Sequence, residues 1–319
     1  MSKIIIFSGD PISVNSEIIF KSWKKIKKSL RKRIYFLTNY NLIDAQFKKL
    51  KYKLNIKKVE NINELSNENS LKILNIDLKF QNPFKISAKE SSKFVIKSLN
   101  TGHSLALQKN VKGFINFPIN KKLLKKNNIG VTEFLAKKCK IKDNSEVMLI
   151  SNNNLKVSPI TTHIDIKKVS KKINSKIIIN KVKKINSWFR FNFNKKPKIG
   201  ILGLNPHNAE LHKNSEEKTK IVPAIKKLKK LKIKIEGPLS ADTVFMKNYK
   251  NYDVIVGMYH DQILGPFKSI FKFKAINITL GLKYIRVSPD HGTAIDLIGK
   301  NKANIESFLE CINVLDKLK

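Results

Sequence analysis

Three of the six histidines directly follow strand-like runs of the chain. His163 ends a TTH sequence after residues 156–161, His207 follows KIGILGLNP, and His260 follows DVIVGMY. In α/β proteins, ligands collect at the carboxyl ends of strands. Three imidazoles presented there could bind a divalent ion such as Zn²⁺ and leave a coordination position open for a substrate. The sequence therefore predicts a metal site, against the alternative of three structural histidines at strand ends.

The aspartate directly after His260 predicts how that imidazole is oriented. Asp261 carries a carboxylate that could accept a hydrogen bond from one ring nitrogen of His260. Such a bond fixes the tautomer of a metal-binding histidine. An ordinary surface turn is the competing interpretation of this pair.

Arg286 is one of four arginines among 64 basic residues, the others being Arg31, Arg33 and Arg190. It follows a strand-like run and a glycine turn in the sequence NITLGLKYIR. A planar guanidinium binds carboxylate and phosphate groups with two donors at once, which lysine cannot do. Arg286 is therefore a candidate anion-binding residue, and a surface arginine is the alternative.

Three further sequences have the pattern of helix amino termini. Asp290 and His291 lie in SPDHGTA, where backbone amides could meet an anion. Asp242 in GPLSADT and Thr132 in GVTEF open helices in a similar way. Ordinary helix capping is the competing interpretation for these sequences.

The elements that must position these residues alternate between strands and amphipathic helices. This alternation indicates an α/β protein with a substantial parallel or mixed sheet. The predicted strands are residues 3–8, 33–38, 71–76, 113–116, 146–151, 156–161, 198–204, 254–258 and 275–280, and the predicted helices are residues 17–30, 91–107, 165–174, 221–231 and 303–318.

Composition restricts the class of protein further. No GxGxxG or GxxxxGK[ST] motif is present, which disfavours a standard Rossmann or P-loop protein. No run approaches the roughly 20 apolar residues of a membrane span. The two cysteines form no CxxC motif, so a reducing cytoplasm is expected. Cys139 has no adjacent base in sequence, which disfavours a role as a thiol nucleophile.

The formal net charge of +40 comes mainly from lysines that are spread along the chain. A nucleic-acid-binding protein more often uses arginine for phosphate and base contacts. Lysine spacings such as AIKKLKKLKIK suit solvated helix faces. We therefore expect weak nonspecific adhesion to nucleic acid at low salt and no specific nucleic-acid partner.

The motifs, taken in order, resemble those of the 4-hydroxythreonine-4-phosphate dehydrogenase family of pyridoxal phosphate biosynthesis. The resemblance covers nearly the whole chain and depends on SGDP, PINK, GVTEFLA, TTH, GLNPH, GPLSADT, MYHDQ and NITLGLKYIRVSPDHGTA. It assigns the family's metal ligands to His163, His207 and His260. It assigns substrate contacts to Thr132, Lys268, Asn277 and Arg286. The positions of Asp242, Asp261, Asp290 and His291 in the sequence make them candidate wall or supporting residues of the same site.

The resemblance also implies a fold. The family has a two-lobed α/β/α sandwich similar to isopropylmalate dehydrogenase, with the active site in the cleft between lobes. The implied first lobe is residues 1–122 with 290–319, and the implied second lobe is residues 123–289. This fold binds NAD without a Rossmann fingerprint.

The implied activity is the NAD-dependent oxidation of 4-phosphohydroxy-L-threonine with a divalent metal ion, either Zn, Mg or Co. The product, 2-amino-3-oxo-4-phosphohydroxybutanoate, decarboxylates to 3-amino-2-oxopropyl phosphate in vitamin B6 biosynthesis. The family forms a homodimer with the site at the subunit interface, and a cytoplasmic enzyme without membrane contact is implied.

The chain departs from the family pattern at four positions. Ser13 and Asn15 replace glycines of GDPAGIGPE, and Phe117 replaces the glycine of TGPxNK. Val131 replaces the histidine of GHTEF, and valine can neither donate a hydrogen bond nor transfer a proton. The catalytic base is therefore unassigned. Two alternatives stay open, a dehydrogenase of a related 4-phosphorylated hydroxy acid and a catalytically inactive metal-binding homologue.

Overall fold

A computed structural model describes residues 2–64, 69–124, 130–141, 145–246, 248–272 and 274–318. The chain divides into two units. The first unit is Met1–Lys140 with Leu282–Lys317, and the second is Ile141–Gly281 with Leu318–Lys319. These divisions differ from the predicted lobe boundaries at 122 and 290. The difference arises because residues 131–138 form a helix that packs in the first unit, and residues 286–289 pair with a strand of that unit.

In the described part of the first unit, six strands pair in the order β3-β4-β2-β1-β5-β12. All of these pairings are parallel. The inner strands are continuous apolar runs such as KIIIF and IYFLT, as expected for strands covered on both faces. The strands are β1 Lys3–Phe7, β2 Ile34–Thr38, β3 Ile56–Val59, β4 Leu71–Asn75, β5 Val111–Asn116 and β12 Arg286–Pro289.

Helices cover both faces of this sheet. On β5, Phe114 is packed close to Gly102 of α4, whereas the adjacent Gly113 is packed close to Leu315 of α11. Successive strand residues point to opposite faces, so α4 and α11 lie on opposite sides of the sheet. The helices are α1 Asn15–Trp23, α2 Lys28–Arg31, α3 Tyr40–Lys49, α4 Ala88–Ala106, α5 Val131–Lys138 and α11 Glu306–Lys317.

The described ranges of the second unit also contain six strands, in the order β11-β6-β7-β10-β8-β9. β6 is antiparallel to β11 and to β7, whereas β10 is parallel to β7 and to β8, and β8 is parallel to β9. The sheet is therefore mixed. The strands are β6 Val147–Ser151, β7 Lys156–Pro159, β8 Ile199–Leu202, β9 Ile235–Leu239, β10 Val254–Gly257 and β11 Ile276–Leu280.

Three helices in the described part of the second unit, α7, α8 and α10, pack against its sheet. α10 contacts β7 and β10, and its Ile263, Leu264 and Phe267 belong to an apolar cluster with strand residues such as Ile255. α7 packs against α8, β6 and β11. The helices are α6 Val169–Lys172, α7 Ser175–Phe193, α8 Val222–Lys230, α9 Ala241–Val244 and α10 His260–Phe271.

The predicted α/β class is confirmed, since parallel strands alternate with helices in both units. Among the helices in the described ranges, none is long and apolar enough to cross a membrane.

Candidate active site

Three neighbouring parallel strands of the second unit lead to the three candidate metal-binding histidines. His163 follows β7, His260 follows β10 and His207 follows β8, and β10 lies between the other two strands. Both pairings of β10 are parallel. Because parallel strands end at the same edge of a sheet, all three histidines follow one carboxyl edge, as the sequence predicts.

Hydrogen bonds connect the segments that follow these strands. Just beyond β10, the carbonyl of Met258 accepts bonds from the backbone N–H (3.1 Å) and hydroxyl (2.7 Å) of Thr161. On the other side, Oε1 of Gln262 accepts from the N–H of Met258 at 2.6 Å, and its Nε2 donates to the carbonyl of Gly203 at 2.7 Å. Gly203 directly follows β8, so the ends of all three strands are held in fixed register.

The rings of His163 and His260 lie beside each other, with centroids 5.6 Å apart and planes tilted by 43°. His260 is the first residue of α10, and its Nδ1 lies 2.7 Å from Oδ1 of Asp261. This is the contact that the adjacent residues predict. With Nδ1–H donating to the carboxylate, Nε2 of His260 carries the lone pair that a metal ion needs.

His207 lies in the 3₁₀ turn Pro206–Leu211, where the backbone is left-handed. The φ angles of its last five residues lie between 47° and 58°. This conformation costs a residue with a Cβ atom roughly 1–2 kcal/mol, so other contacts must hold the turn. The segment before it is held by the buried Glu217, whose Oε1 accepts from the backbone N–H groups of Leu204 (2.7 Å) and Asn205 (2.8 Å).

Within the described ranges, no group of three or more His, Cys, Asp or Glu side chains is placed to hold a metal ion. The structure brings the rings of His163 and His260 together, and it places His207 on the segment after the neighbouring strand. Metal binding by all three histidines therefore stays a prediction.

The remaining predicted residues of the second unit lie on three elements. Lys268 is exposed in the last turn of α10, and Asp242 is exposed in the first turn of α9. Asn277 is half-buried in β11, and its buried Oδ1 has no hydrogen-bond partner among the described residues. A buried acceptor without a partner is costly, so this oxygen could accept a hydrogen bond from a ligand.

Arg286 is the centre of the predicted site residues in the first unit. Its side chain is buried at the start of β12, with 3% of the residue exposed. Nε donates to Oδ1 of Asn116 at 2.7 Å, and Nη1 donates to the hydroxyl of Thr132 at 3.2 Å. Burial lowers the pKa of Arg286 to about 10, so the guanidinium is charged at neutral pH. The structure thus joins two of the predicted substrate contacts, and Val131 beside them packs on the apolar core.

Residues 290–294 are not helical, and the short 3₁₀ helix Ile295–Leu297 follows them, so the helical turn starts later than the predicted amino terminus at Asp290. The N–H of Asp290 donates to the hydroxyl of Ser307 in α11 at 2.9 Å, and the carbonyl of Thr293 accepts from the N–H of Val14 at 3.0 Å. These tertiary bonds hold the segment in its non-helical conformation. Nδ1 of His291 contacts the next residue's carbonyl at 2.8 Å, and its buried Nε2 has no hydrogen-bond partner among the described residues.

The three residues that replace family glycines are all buried in the first unit. The hydroxyl of Ser13 donates to the carbonyl of Asp10 at 2.6 Å, and Nδ2 of Asn15 donates to a carbonyl just after β1 at 2.9 Å. Phe117 packs on Phe308, with ring centroids 4.6 Å apart. These side chains are therefore part of the interior of the unit, where they make local hydrogen bonds and packing contacts.

Sequence reasoning missed three residues that hold the site together. Asn116 orients Arg286, Gln262 connects the ends of β8 and β10, and Glu217 anchors the segment before His207. The position of Gln262 in YHDQ, two residues after a candidate ligand, was a usable signal. For the other two residues, the contact depends on chain pairing that sequence spacing does not reveal.

Comparisons with known proteins agree with the motifs. Residues 29–315 match the sequence profile of the family described as pyridoxal phosphate biosynthetic protein PdxA. The chain is 39% identical to 4-hydroxythreonine-4-phosphate dehydrogenase of Sulfurihydrogenibium sp. (strain YO3AOP1), over 100% of this chain and 99% of the relative. It is 32% identical to an Oceanobacillus iheyensis protein provisionally named D-threonate 4-phosphate dehydrogenase, over 97% and 95% of the two chains.

Solved structures give the same answer for the fold. The crystal structure of a 4-hydroxythreonine-4-phosphate dehydrogenase from Burkholderia phymatum superposes with a TM-score of 0.83 at 27% identity. The superposition covers 100% of this chain and 99% of the Burkholderia phymatum chain. Fold, motifs and full-length sequence similarity together show that the chain belongs to the PdxA family.

Proposed function

We propose that this chain oxidises 4-phosphohydroxy-L-threonine with NAD⁺ and a divalent metal ion, as a 4-hydroxythreonine-4-phosphate dehydrogenase. The proposal rests mainly on one observation. The three histidines follow three adjacent parallel strands, and the ends of these strands are connected by hydrogen bonds. Family membership over the full chain supports the same reaction.

Three imidazoles are a donor set whose chemistry suits a divalent metal ion. His163, His207 and His260 would hold the ion, and the Asp261 contact leaves Nε2 of His260 as its ligand atom. Zn, Mg and Co stay open as candidates, with imidazole donors favouring the transition metals. When bound, the metal ion would polarise the substrate hydroxyl as a Lewis acid and NAD⁺ would accept hydride.

The protein's own residues bind and orient the substrate. Arg286, fixed by Asn116 and Thr132, presents a buried positive charge that suits a phosphate or carboxylate group. In the second unit, the family resemblance assigns substrate contacts to the exposed Lys268 and to Asn277, whose Oδ1 has no hydrogen-bond partner among the described residues. The substrate alcohol loses its proton to a base as its hydride departs. Val131 has no group that accepts a proton, so residue 131 does not supply that base.

The oxidised product is a β-keto acid, which can lose its carboxyl group as CO₂ and give 3-amino-2-oxopropyl phosphate. We further propose a homodimer with the site at the subunit interface, as the family resemblance implies. Sedimentation equilibrium at several protein concentrations tests this assembly.

The direct test is NADH formation by the purified protein with 4-phosphohydroxy-L-threonine and NAD⁺. A chelator should abolish turnover, and added metal ion should restore it. His207→Ala should abolish turnover with the fold retained. His212→Ala is the matched control, because His212 is an exposed histidine at the end of the same turn. A folded, metal-loaded protein without turnover would contradict the proposal.

A second candidate substrate is D-threonate 4-phosphate. The named relative from Oceanobacillus iheyensis and the departure at Val131 favour testing it. This substrate carries a hydroxyl in place of the C2 amino group, so the same assay with both compounds compares recognition at that carbon. A higher kcat/KM for the hydroxy acid would reassign the substrate and leave the reaction class unchanged.

A further inference from the structure

Glu217 is a fully buried carboxylate whose hydrogen bonds all lead to one segment. It opens the π-helical turn Glu217–Ile221, just before α8, with 0% of the residue exposed. Oε1 accepts from the N–H groups of Leu204 and Asn205, and Oε2 accepts from Nδ2 of Asn205 at 3.1 Å. Interruptions of this kind in helices are frequent at functional sites.

These bonds also determine the charge of Glu217. Burial by itself raises the pKa of the Glu217 carboxyl, but the hydrogen bonds from Asn205 and Leu204 outweigh burial and hold that pKa below its ordinary value. The carboxylate is therefore ionised at neutral pH. A buried charge stays only where several donors compensate it, so Glu217 and the segment after β8 are strongly coupled.

Gln262 holds the same segment from the side of α10. Its amide group accepts from Met258 after β10 and donates to Gly203 after β8. Gly203 itself has no room for a side chain. A Cβ atom there would lie 2.1 Å from Oδ1 of Asn208 and 3.1 Å from Oε1 of Glu217.

We propose that Glu217 and Gln262 form a clamp that positions His207 relative to His260 for metal binding. Both act through other residues and are positioning residues. Glu217 fixes the segment that leads into the turn of His207, and Gln262 ties that segment to the strand that leads into His260. The inference rests on the proposed function, because it takes both histidines as metal ligands.

The clamp makes a quantitative prediction for metal affinity. Groups that orient metal ligands typically contribute 10–100-fold to affinity or activity. Glu217→Gln keeps the shape of the side chain but replaces one acceptor oxygen with an NH₂ group, which then faces donors. Gln262→Glu does the reverse, because it places an oxygen against the carbonyl of Gly203. Each change should weaken Co²⁺ binding about 10–100-fold.

The experiment titrates metal-free protein with Co²⁺ and follows visible absorption, together with thermal unfolding of the metal-free protein. Glu236→Gln is the matched control, because Glu236 also accepts a side-chain hydrogen bond, from Tyr252 at 2.9 Å, in the same unit. This control should bind Co²⁺ like the wild type. If Glu217→Gln does not fold, Asn205→Ala removes the Nδ2 bonds alone and should give a smaller loss.

A double variant separates the possible outcomes. In the His207→Ala background, Glu217→Gln should cause no further loss of Co²⁺ affinity if Glu217 acts through His207. An unchanged affinity in Glu217→Gln, or an equal loss in both backgrounds, would overturn the clamp while leaving the ligand assignment intact. Unchanged Co²⁺ binding in His207→Ala alone would overturn the ligand assignment of the proposed function, and the clamp with it.

Discussion

Arg286 combines three properties that lysine cannot combine, which are deep burial, a positive charge at neutral pH and two directed donors. Its Nε and Nη1 are both engaged with Asn116 and Thr132. We predict that Arg286→Lys raises KM for the phosphorylated substrate about 10–100-fold, since a charged hydrogen bond contributes roughly 1.5–3 kcal/mol. Steady-state kinetics of NADH formation measure the change.

Arg190→Lys is the matched control for this substitution, because Arg190 is exposed on α7. It should leave both kcat and KM unchanged. Thermal unfolding of both variants checks that the fold is retained. An Arg286→Lys enzyme with wild-type KM would show that this guanidinium does not bind the substrate.

Lys72 is a buried lysine in β4, with 1% of the residue exposed. Its Nζ donates to the carbonyl of Lys32 and lies 4.2 Å from the centre of the Tyr35 ring. Burial lowers its pKa from the ordinary value of 10.5 to about 8. Below pH 8 the amine is charged in both the folded and the unfolded chain. Burial of that charge therefore lowers the free energy of unfolding by its full amount in this range.

We predict that Lys72→Met increases the free energy of unfolding at pH 7 by about 1–2 kcal/mol, after loss of the hydrogen bond is included. Between pH 8 and 10.5 the unfolded wild type binds more protons at residue 72, so wild-type stability rises with pH. The advantage of the variant should therefore shrink over this range. Urea denaturation across the range measures it, and a constant difference would contradict a charged, buried Lys72.

At the scale of elements, the left-handed turn around His207 departs most from ordinary backbone geometry. Ala209 in this turn has φ 48° and ψ 32°. Glycine adopts this conformation without steric cost, whereas alanine does not. We predict that Ala209→Gly stabilises the metal-free protein by about 1 kcal/mol. Ala45→Gly in the middle of α3 is the control and should destabilise it by about 1 kcal/mol. A loss of stability in Ala209→Gly, measured by urea denaturation, would contradict a strained turn.

Sequence reasoning missed the strand β3 for a physical reason. β3 is a four-residue strand, IKKV, with both lysines exposed, and it lies at one end of the first unit's strand order. Such an edge strand lacks the apolar run that identifies an inner parallel strand. The predicted helix over residues 17–30 is in fact α1 followed by the short α2. By contrast, the buried strands β1, β2, β8 and β10 were predictable because their apolar runs are continuous.

At the scale of the whole molecule, the site was predictable only in part. Residue types at strand ends gave the three histidines and Arg286 as candidates, and their roles stay predictions. The partners of Arg286 come from far along the chain, since Asn116 and Thr132 are 170 and 154 residues away in sequence. Which strands lie side by side decides such contacts, and periodicity carries no information about it. Tertiary bonds also hold residues 290–294 in a non-helical conformation, so the helical turn starts only at Ile295 and not at the capping pattern itself.

The net charge of +40 belongs to the molecule as a whole and makes a separate prediction. Self-repulsion of so many lysines destabilises the folded state, and salt screens it over about 10 Å at 0.1 M ionic strength. We predict that the unfolding temperature rises as NaCl increases from about 0.02 to 0.5 M. Binding to duplex DNA should be lost over the same range, because nonspecific contacts depend steeply on salt. Melting curves and fluorescence anisotropy measure the two effects, and DNA binding that persists at high salt would instead indicate a dedicated nucleic-acid site.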